Sequence, residues 1–532
     1  DVIMARVDLL PEGAKDLLQT GSVIEREFSY ETVNQVTDIS QDELLTHLSV
    51  LKDSELLYER GVYPQTAYVF KHALTQEVVY DSILTNRKKK LHEKIGNAIE
   101  ELYKDNIDEH YGVLAEHFIE ADNYQKGAEY SKLAGRKAQR ESAFVDAISY
   151  AKKAVSCLER LPQTDDIQRK IIVGRTVLGT YYAMMNYHFE AKEAVAPIID
   201  SALNSGNKRS ISNIYTIMGA YNSHVEDDYP KAFECFKKAA EICEEISDVI
   251  LLTSVYFWHG AARSYNCEFE KALNYMEKGL DINVVVKNLW GIAVFKSIIS
   301  SFVYFYQGKI NLAFQTSDET ITIAEESGDI FSKGMAYTSH GVSCYGKGFL
   351  EQAIKHFLTA ANFCERTRFF SWNAIAHWFL GEIYFEIGEY QKSKDHYTKA
   401  NQLLEQNRIL PSFVSLSKMC LSRATVKNNE KDIVLESLFS FENKNRHGWF
   451  NGTMPKYIGE ILLTIDDYHI LEAEDWIKKA IEADRTNGMM FHLAQDYALY
   501  AELFKRKSDL SKAREKLGKA IEIFKECGAD GW

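Results

Sequence analysis

The chain has 532 residues, of which 46% are hydrophobic and 26% charged, so it is neither disordered nor fibrous. Its 62 Lys and Arg residues against 76 Asp and Glu give a net charge of −14. This balance argues against general nucleic-acid binding, which needs a basic face that displaces counterions. Only seven prolines occur where about 27 would be usual, and so few helix-ending residues favour a helical chain.

The cysteine pattern and the hydropathy indicate where the chain resides. The eight cysteines form no C-x-x-C pair, and we expect them to be small buried hydrophobes in a reducing compartment. No apolar run reaches the ~18 residues of a membrane span. The first residues also lack the charged and apolar blocks of a signal peptide. We therefore expect a cytoplasmic protein that contacts no membrane.

Residues 1–86 predict a small module of their own. Helices are predicted at 9–24, opening at Pro11, at 28–36, and from Ser40, where Glu43 completes a capping box. The buried stripe of the third helix is predicted to be Leu44, Leu45, Leu48 and Leu51. Strand-like runs at 56–59 and 67–70 then bracket Gly61 and Pro64 as a hairpin. Three helices followed by a hairpin is the layout of a winged helix, but its third helix is acidic, so we predict no DNA binding.

A connecting helix is predicted at 87–107 and begins with the basic run Arg87-Lys88-Lys89-Lys90. This run is either a solvated helix face or a docking site for an acidic domain. Beyond it, residues 108–532 carry an internal repeat. A small residue recurs every 40 or 41 positions after a first interval of 44. These positions are Ala147, Ala191, Ala232, Ala272, Ala313, Ala353, Ser393, Ile433, Ala473 and Ala513, of which Ile433 is the exception in size.

The pattern around these positions follows the tetratricopeptide scheme. Leu380-Gly381-Glu-Ile-Tyr384 is typical of a first helix, and Tyr397 and Ala400 follow Ser393 on a second. The small residue lets the two helices approach closely, and an aromatic residue four positions later fills the gap. The usual period is about 34 residues, so these helices are longer. We predict an all-α, tetratricopeptide-like solenoid, or superhelix, of about ten ~40-residue repeats.

The first helices of the central repeats are rich in aromatic residues. In the tetratricopeptide family such helices line the concave face, which predicts an apolar groove for an amphipathic helix or extended peptide. The predicted groove residues are Phe257, Tyr265, Phe295, Phe302, Phe305, Tyr306, Tyr345, Trp378, Glu382 and Phe385. The alternative is that longer helices simply bury more aromatic side chains between repeats.

Two strings in the first module carry a resemblance to a known family. They are Val2-Ile-Met-Ala-Arg-Val-Asp-Leu-Leu-Pro11, taken together with the run Leu17 to Tyr30, and Tyr68-Val-Phe-Lys-His-Ala-Leu-Thr-Gln-Glu-Val-Val-Tyr80. They resemble bacterial signal-transduction ATPases with numerous domains, particularly adenylate/guanylate cyclase-like ones. In that family a P-loop ATPase precedes a winged helix and a long repeat array. The resemblance implies that this chain is a fragment, that the ATPase lies upstream of Asp1, and that His72 senses bound nucleotide. The other reading of His72 is a helix-capping side chain.

No catalytic constellation is present in the sequence. G-x4-G-K-[ST], H-E-x-x-H and G-x-S-x-G are all absent, and His492 with Asp496 one turn later is too weak a pair to predict a metal site. We therefore predict no enzyme activity, cofactor or metal.

The resulting hypothesis is a sensor arm that binds a protein, peptide or small effector and regulates an ATPase or output domain of the same chain. Movement would pass along the array because each repeat contacts only its neighbours. Two alternatives stay open. The first is the inducer-binding arm of a transcriptional activator of the maltose-regulon type, whose groove needs polar groups between its aromatic residues. The second is an enzyme with an unrecognised active site.

Overall fold

A computed structural model describes residues 2–61, 66–430 and 434–532 of the chain. Two compact units are present, Asp1–Leu178 and Gly179–Trp532. Within the described residues all regular structure is helical except for three short strands in the first unit. No helix of this part of the chain combines the length and apolar character needed to cross a membrane.

The first unit begins with helices around a three-stranded sheet and continues as antiparallel helices. Strands β1 and β2 both pair antiparallel with β3, in the order β1-β3-β2, with Phe28 opposite Tyr68 and Leu57 opposite Phe70. Its elements are α1 (Val2–Asp8), α2 (Glu12–Ile24), β1 (Glu27–Ser29), α3 (Tyr30–Val36), α4 (Gln41–Asp53), β2 (Leu57–Arg60), β3 (Ala67–Phe70), α5 (Ala73–Asp81), α6 (Thr85–Leu102), a 3-10 turn (Lys104–Glu109), α7 (Tyr111–Glu120), α8 (Tyr124–Arg140) and α9 (Phe144–Arg160).

The predicted helices and the paired strands of this unit are present, with two differences. The N-cap half of the capping box forms, since the backbone N–H of Glu43 donates to Ser40 Oγ at 3.3 Å, while the Glu43 carboxylate lies 3.7 Å from His47 Nε2. Leu45 is 40% exposed and does not belong to the buried stripe of α4, because the face toward the core is narrow enough to be filled by Leu44, Leu48 and Leu51. Strand β1 was not predicted, and Pro64 lies outside the described residues.

The second unit is built from helical hairpins that follow one another along the chain. Its elements are α10 (Asp165–Met184), which begins in the first unit, α11 (His188–Val195), a 3-10 turn (Ala196–Ile198), α12 (Ile199–Ser205), α13 (Lys208–His224), α14 (Tyr229–Glu245), α15 (Val249–Tyr265), α16 (Phe269–Val285), α17 (Leu289–Ile298), a π-helical segment (Ile299–Tyr304), α18 (Ile310–Ser327), α19 (Ile330–Lys347), α20 (Leu350–Thr367), α21 (Phe370–Glu386), α22 (Tyr390–Gln406), α23 (Pro411–Lys427), α24 (Leu435–Lys444), α25 (Phe450–Ile465), α26 (Ile470–Thr486), α27 (Met490–Arg506) and α28 (Leu510–Cys527).

The turns of these hairpins share one backbone conformation. Over eleven successive turns, a residue with φ between 51° and 84° ends a helix every 20 or 21 residues. These residues are Asp227, Ser247, Cys267, Lys287, Gly308, Gly328, Gly348, Arg368, Gly388, Arg408 and Asn429. A left-handed residue stops a helix and reverses the chain within a few positions, at a cost of about 1 kcal/mol when the residue is not glycine. The turn within a repeat and the turn between repeats are therefore built alike.

The recurring small residue lies where the two helices of a repeat meet. It is fully buried in eight repeats, half-buried at Ala513, and at Ile433 it falls outside the described residues. In six repeats a glycine of the first helix faces the residue of the second helix that comes four positions after the small residue. A Cβ added to that glycine would lie 2.5–2.9 Å from the facing side chain. These pairs are Gly179–Val195, Gly219–Phe236, Gly260–Met276, Gly341–Phe357, Gly381–Tyr397 and Gly459–Ile477. The chain is thus an all-α, tetratricopeptide-like solenoid of about ten repeats with a small N-terminal module.

Candidate functional site

Within the second unit, repeats that lie far apart in sequence contact each other at regular separations. Each contact joins the end of one first helix to a residue about 185 positions later, which in four of the five contacts lies at or near the start of another first helix. The contacts are Asn186 Nδ2 to Ser371 Oγ at 2.9 Å, Ser412 Oγ to Asp227 Oδ2 at 2.6 Å, the Tyr265 and Trp449 rings at 5.0 Å, the Tyr306 and His492 rings at 5.4 Å, and Trp532 Nε1 to the Tyr345 carbonyl at 2.8 Å.

These contacts correct the expectation that each repeat contacts only its neighbours. Repeats that are five positions apart in the array meet through hydrogen bonds and ring contacts, so successive turns of the superhelix pack against each other. The arrangement follows from the small rotation that each repeat adds to the last. Side chains that point to the inside of one turn therefore meet side chains of the next.

The structure buries the ten predicted groove residues, except that Phe257 is half-buried. Phe302 stacks on Trp372 at 5.4 Å between ring centroids, and Tyr306 stacks on Trp449 at 3.8 Å. Packing between first helices thus accounts for much of the aromatic content, which is the alternative that the sequence left open. The assignment of these residues to a ligand-binding groove remains a prediction.

A buried arginine holds a polar cluster together among these rings. Arg423 of α23 donates from Nη1 to Glu382 Oε2 of α21 at 3.2 Å. The same carboxylate accepts hydrogen bonds from Tyr397 at 2.5 Å and Tyr457 at 2.8 Å. The guanidinium also lies 3.5 Å from the ring centroid of Phe385. Each oxygen of Glu382 therefore has a partner, and the arginine is fixed by charge and by two aromatic faces.

Two further carboxylates extend this cluster toward solvent. Arg423 donates from Nε to Glu460 Oε2 at 2.7 Å and from Nη2 to Glu386 Oε1 at 3.4 Å. The side chains of Glu386 and Lys427 each keep 30% of their surface exposed. Lys427 Nζ lies 3.8 Å from Glu460 Oε1. Burial is the main reason that the pKa of Glu386 lies above its ordinary value. Glu386 is thus the carboxylate of the cluster that a ligand can reach.

A second buried cluster lies on the next helices. Asp484 of α26 and Asp496 of α27 are both buried, and burial raises the pKa of Asp484 to about 7 and that of Asp496 well above its ordinary value. The two carboxyl groups act on each other, and the charge of Lys456 of α25 opposes the effect of burial on both. Gly452 makes room for the pair, because a Cβ there would lie 1.9 Å from Asp484 Oδ1. His492, which the sequence considered with Asp496, stays neutral because burial lowers its pKa.

Five successive first helices contribute to this interior: α19, α21, α23, α25 and α27. Lys456 donates to Gln495 Oε1 of α27 at 2.7 Å. Gln495 also bonds Tyr345 of α19, whose pKa is raised by burial first and then by Glu382 and Glu386. The interior therefore mixes aromatic faces with charges of both signs, which suits recognition of a ligand with polar and apolar parts.

Sequence reasoning selected Glu382 and missed the rest of the polar cluster. The missed residues are Glu386, Arg423, Lys427, Lys456, Glu460, Gln495, Asp484 and Asp496. A signal was present, because Glu386, Arg423 and Glu460 follow one another at intervals of 37 residues, close to one repeat. Because this interval is close to the length of one repeat, it places the three charged residues at similar heights along three successive first helices.

His72 of the first unit lies at the N-cap position of α5, and its side chain is exposed and makes no capping hydrogen bond. The capping role that the sequence offered is therefore not observed. The nucleotide-sensing role stays a prediction.

No family model matches the chain. An uncharacterized protein of Rhizobium meliloti (strain 1021) is 24% identical over 142 residues, which are 27% of this chain and 14% of that protein. The chain therefore spans only about a seventh of the curated relative that it matches.

Among solved structures, similar ones include a signal-transduction ATPase with numerous domains and a tetratricopeptide repeat sensor from Pyrococcus horikoshii. It is 15% identical, covers 98% of this chain and 64% of its own, and has a TM-score of 0.36. Aspartyl phosphate phosphatase F from Bacillus subtilis is 14% identical over 73% of this chain and 91% of its own, with a TM-score of 0.39. Yeast Tom70 is 14% identical over 83% and 94%, with a TM-score of 0.34. The likeness is one of helical-repeat fold.

Proposed function

We propose that the chain is the non-catalytic sensor arm of a bacterial multidomain signalling ATPase, similar to the adenylate/guanylate cyclase-like members of that class. The interior lined by α19, α21, α23, α25 and α27 binds a protein segment, peptide or small effector. The observation that carries this proposal is the partly exposed Glu386 beside Arg423 and Glu460, set among aromatic rings. Such a mixture binds a peptide through its charged groups and its apolar side chains together.

The first module supports the proposed connection to an ATPase. Its order of helix, strand, two helices and two strands, with β3 between β1 and β2, is that of a winged helix. We propose domains at 1–86 for this module, 87–107 for the connecting helix and 108–532 for the repeats. In this proposal the imidazole of His72, which is exposed, senses a nucleotide held by an ATPase domain upstream of Asp1. The protein acts in the cytoplasm, without binding nucleic acid or membrane.

Binding is tested with a library of short synthetic peptides, read by fluorescence anisotropy on the purified chain. We expect a subset to bind and the variant Glu386→Gln to bind that subset at least about tenfold more weakly. The loss corresponds to one charge-assisted hydrogen bond, about 1.5 kcal/mol or more. The matched control is Glu351→Gln, an exposed glutamate of the second helix α20, and it should bind as the unchanged chain does. Equal binding by Glu386→Gln contradicts the proposed site.

The link to an ATPase has its own test. We expect the coding sequence upstream of Asp1 to contain G-x4-G-K-[ST], because a P-loop is what holds the nucleotide phosphates. In the complete protein, ATP hydrolysis should change when a peptide selected above is added. A rate of ATP hydrolysis that does not change when any of these peptides is bound would contradict the regulatory role, but it would not contradict the binding site.

The inducer-binding arm of a transcriptional activator is a second candidate, because the structure places polar groups between the aromatic residues as such a site requires. A panel of sugars and other small metabolites, read by the same variant and control, separates the two candidates. Binding of a small polyol with no peptide binding would favour the activator.

A further inference from the structure

Two histidines and a cysteine converge where α19 packs against α20 in the second unit, and none of them belongs to the clusters described above. His340 and Cys344 lie one helical turn apart on α19, and His356 lies on α20, which packs against α19 in the same repeat. Residues four positions apart on a helix share one face. Each of the three side chains offers one ligand atom, and these atoms all lie within 4.8 Å of one another.

The hydrogen bonds of His340 leave one ring nitrogen ready to bind a metal. Ser317 of α18 donates its hydroxyl hydrogen to the Phe314 carbonyl at 3.0 Å, and its oxygen lies 2.9 Å from Nδ1 of His340. When the hydroxyl donates to the carbonyl in this way, its oxygen accepts from Nδ1–H of His340, and Nε2 keeps its lone pair for a metal. A buried partner of this kind is what fixes the ring of a metal-binding histidine.

A carboxylate and a path to solvent complete the surroundings. Asp318 follows Ser317 on α18 and is exposed, and its charge acts on His340, Cys344 and His356 alike. Cys344 is fully buried and His340 nearly so, whereas His356 is half-buried. The thiol therefore lies at the inner end of the cluster, and an ion would enter past His356 and Asp318.

We propose that His340, Cys344 and His356 bind a zinc-type divalent cation. One sulfur and two imidazole nitrogens are ligands of the kind that Zn²⁺ takes in a tetrahedral site whose fourth position is held by water, whereas Mg²⁺ and Ca²⁺ take oxygen ligands. Around Zn²⁺ the ligand atoms would be about 3.3–3.8 Å apart, so the side chains need to close by roughly 1 Å. The ion would join the two helices of one repeat, α19 and α20.

The next repeat provides a natural comparison. His396 of α22 occupies the position of His356, forty residues later, and its Nδ1 lies 2.9 Å from Nδ1 of His377. Tyr384 stands in the place of Cys344 and stacks on His396. This repeat has two histidines in contact but no thiol, and it should not bind the ion.

The test uses the purified full chain without a histidine tag, freed of metal by a chelator and then titrated with Zn²⁺ or Co²⁺ alone. We expect one equivalent to stay bound after gel filtration, and bound Co²⁺ should show a thiolate-to-metal charge-transfer band. Cys344→Ser should lose the band, and His356→Gln should weaken binding on the order of 100-fold or more. His356 is only half-buried, so this variant should fold even if Cys344→Ser does not.

The matched controls are Cys364→Ser, a buried cysteine of the same hairpin, and His396→Gln of the next repeat. Both should bind Co²⁺ with the charge-transfer band unchanged. The proposal is overturned if the unchanged chain retains no metal, if bound Co²⁺ shows no thiolate band, or if His356→Gln binds as tightly as the unchanged chain.

Discussion

Asp484 and Asp496 show how a single buried pair makes stability depend on pH. Three other titratable groups act on the pair or are acted on by it or by Lys456. They are the ammonium group of Lys456, the neutral imidazole of His492 and the thiol of Cys267. Burial raises both carboxyl pKa values above those of the unfolded chain, so the folded state binds more protons between about pH 4 and 7. The free energy of unfolding that depends on this pair is therefore highest at low pH and falls as the pH rises through that range.

Replacing Asp496 with Asn should remove the part of this pH dependence that Asp496 contributes, because an amide does not ionise, whereas buried Asp484 keeps its own part. We expect Asp496→Asn to match the unchanged chain near pH 4 and to become more stable than it as pH rises. The gap should grow by up to about 1.4 kcal/mol per pH unit. Urea unfolding of both proteins at several pH values measures it, and a gap that is constant with pH would show that the pair is not protonated as described.

At the scale of the helical hairpin, close contact between a glycine and a large side chain sets the spacing of the two helices. Gly381 of α21 faces Tyr397 of α22, which is fully buried and also holds Glu382 through its hydroxyl. The contact thus joins the packing of the hairpin to the polar cluster of the interior. A side chain at Gly381 would push the helices apart and move both.

Gly381→Val should lower the free energy of unfolding by about 1–3 kcal/mol, because the added Cβ would lie 2.5 Å from the Tyr397 ring. The matched control is Gly518→Ala in α28, where an added Cβ meets no atom within 4 Å. That change should raise stability by up to about 1 kcal/mol through helix propensity. Thermal unfolding followed by circular dichroism measures both, and equal effects would mean that the contact does not set the spacing.

At the scale of the second unit, the contacts about 185 residues apart make the solenoid more than a chain of nearest neighbours. Trp532 illustrates this, since its Nε1 donates to the Tyr345 carbonyl and its ring meets those of Tyr345 and Phe491. Gly531 adds a backbone hydrogen bond to Lys347 at 3.0 Å. Because distant repeats share such contacts, we expect them to unfold together more than a simple repeat array would.

Removing the Trp532 ring should therefore loosen a segment that lies nearly two hundred residues earlier. We expect Trp532→Ala to speed amide hydrogen exchange at residues 345–348 by at least about tenfold. Trp476→Ala is the control, because Trp476 of α26 stacks on Phe439 of the preceding repeat and is half-buried like Trp532. It should leave exchange at 345–348 unchanged. If Trp532→Ala also leaves it unchanged, the long-range contacts do not stabilise the unit.

The sequence by itself determined the features that arise within one repeat. Small residues forty positions apart predicted the hairpins, and the aromatic residue four positions later predicted what fills the gap, as at Gly341 and Phe357, although Val195, Met276 and Ile477 fill it in other repeats. The N-cap hydrogen bond from Glu43 to Ser40 also formed as predicted. Each of these features depends on residues that lie within a few helical turns of one another, so the spacing of those residues can be read directly from the sequence.

The tertiary structure alone decided which distant side chains meet. Arg423 joins Glu382 and Glu460, Asp484 joins Asp496, and turns five repeats apart pack together. The 37-residue interval of Glu386, Arg423 and Glu460 indicates only that they lie at similar heights on successive first helices. Which side chains meet depends on the rotation between repeats, which is the sum of many small packing angles. The period of the solenoid could therefore be predicted from the sequence, while the superhelical turn decided which side chains meet in the interior.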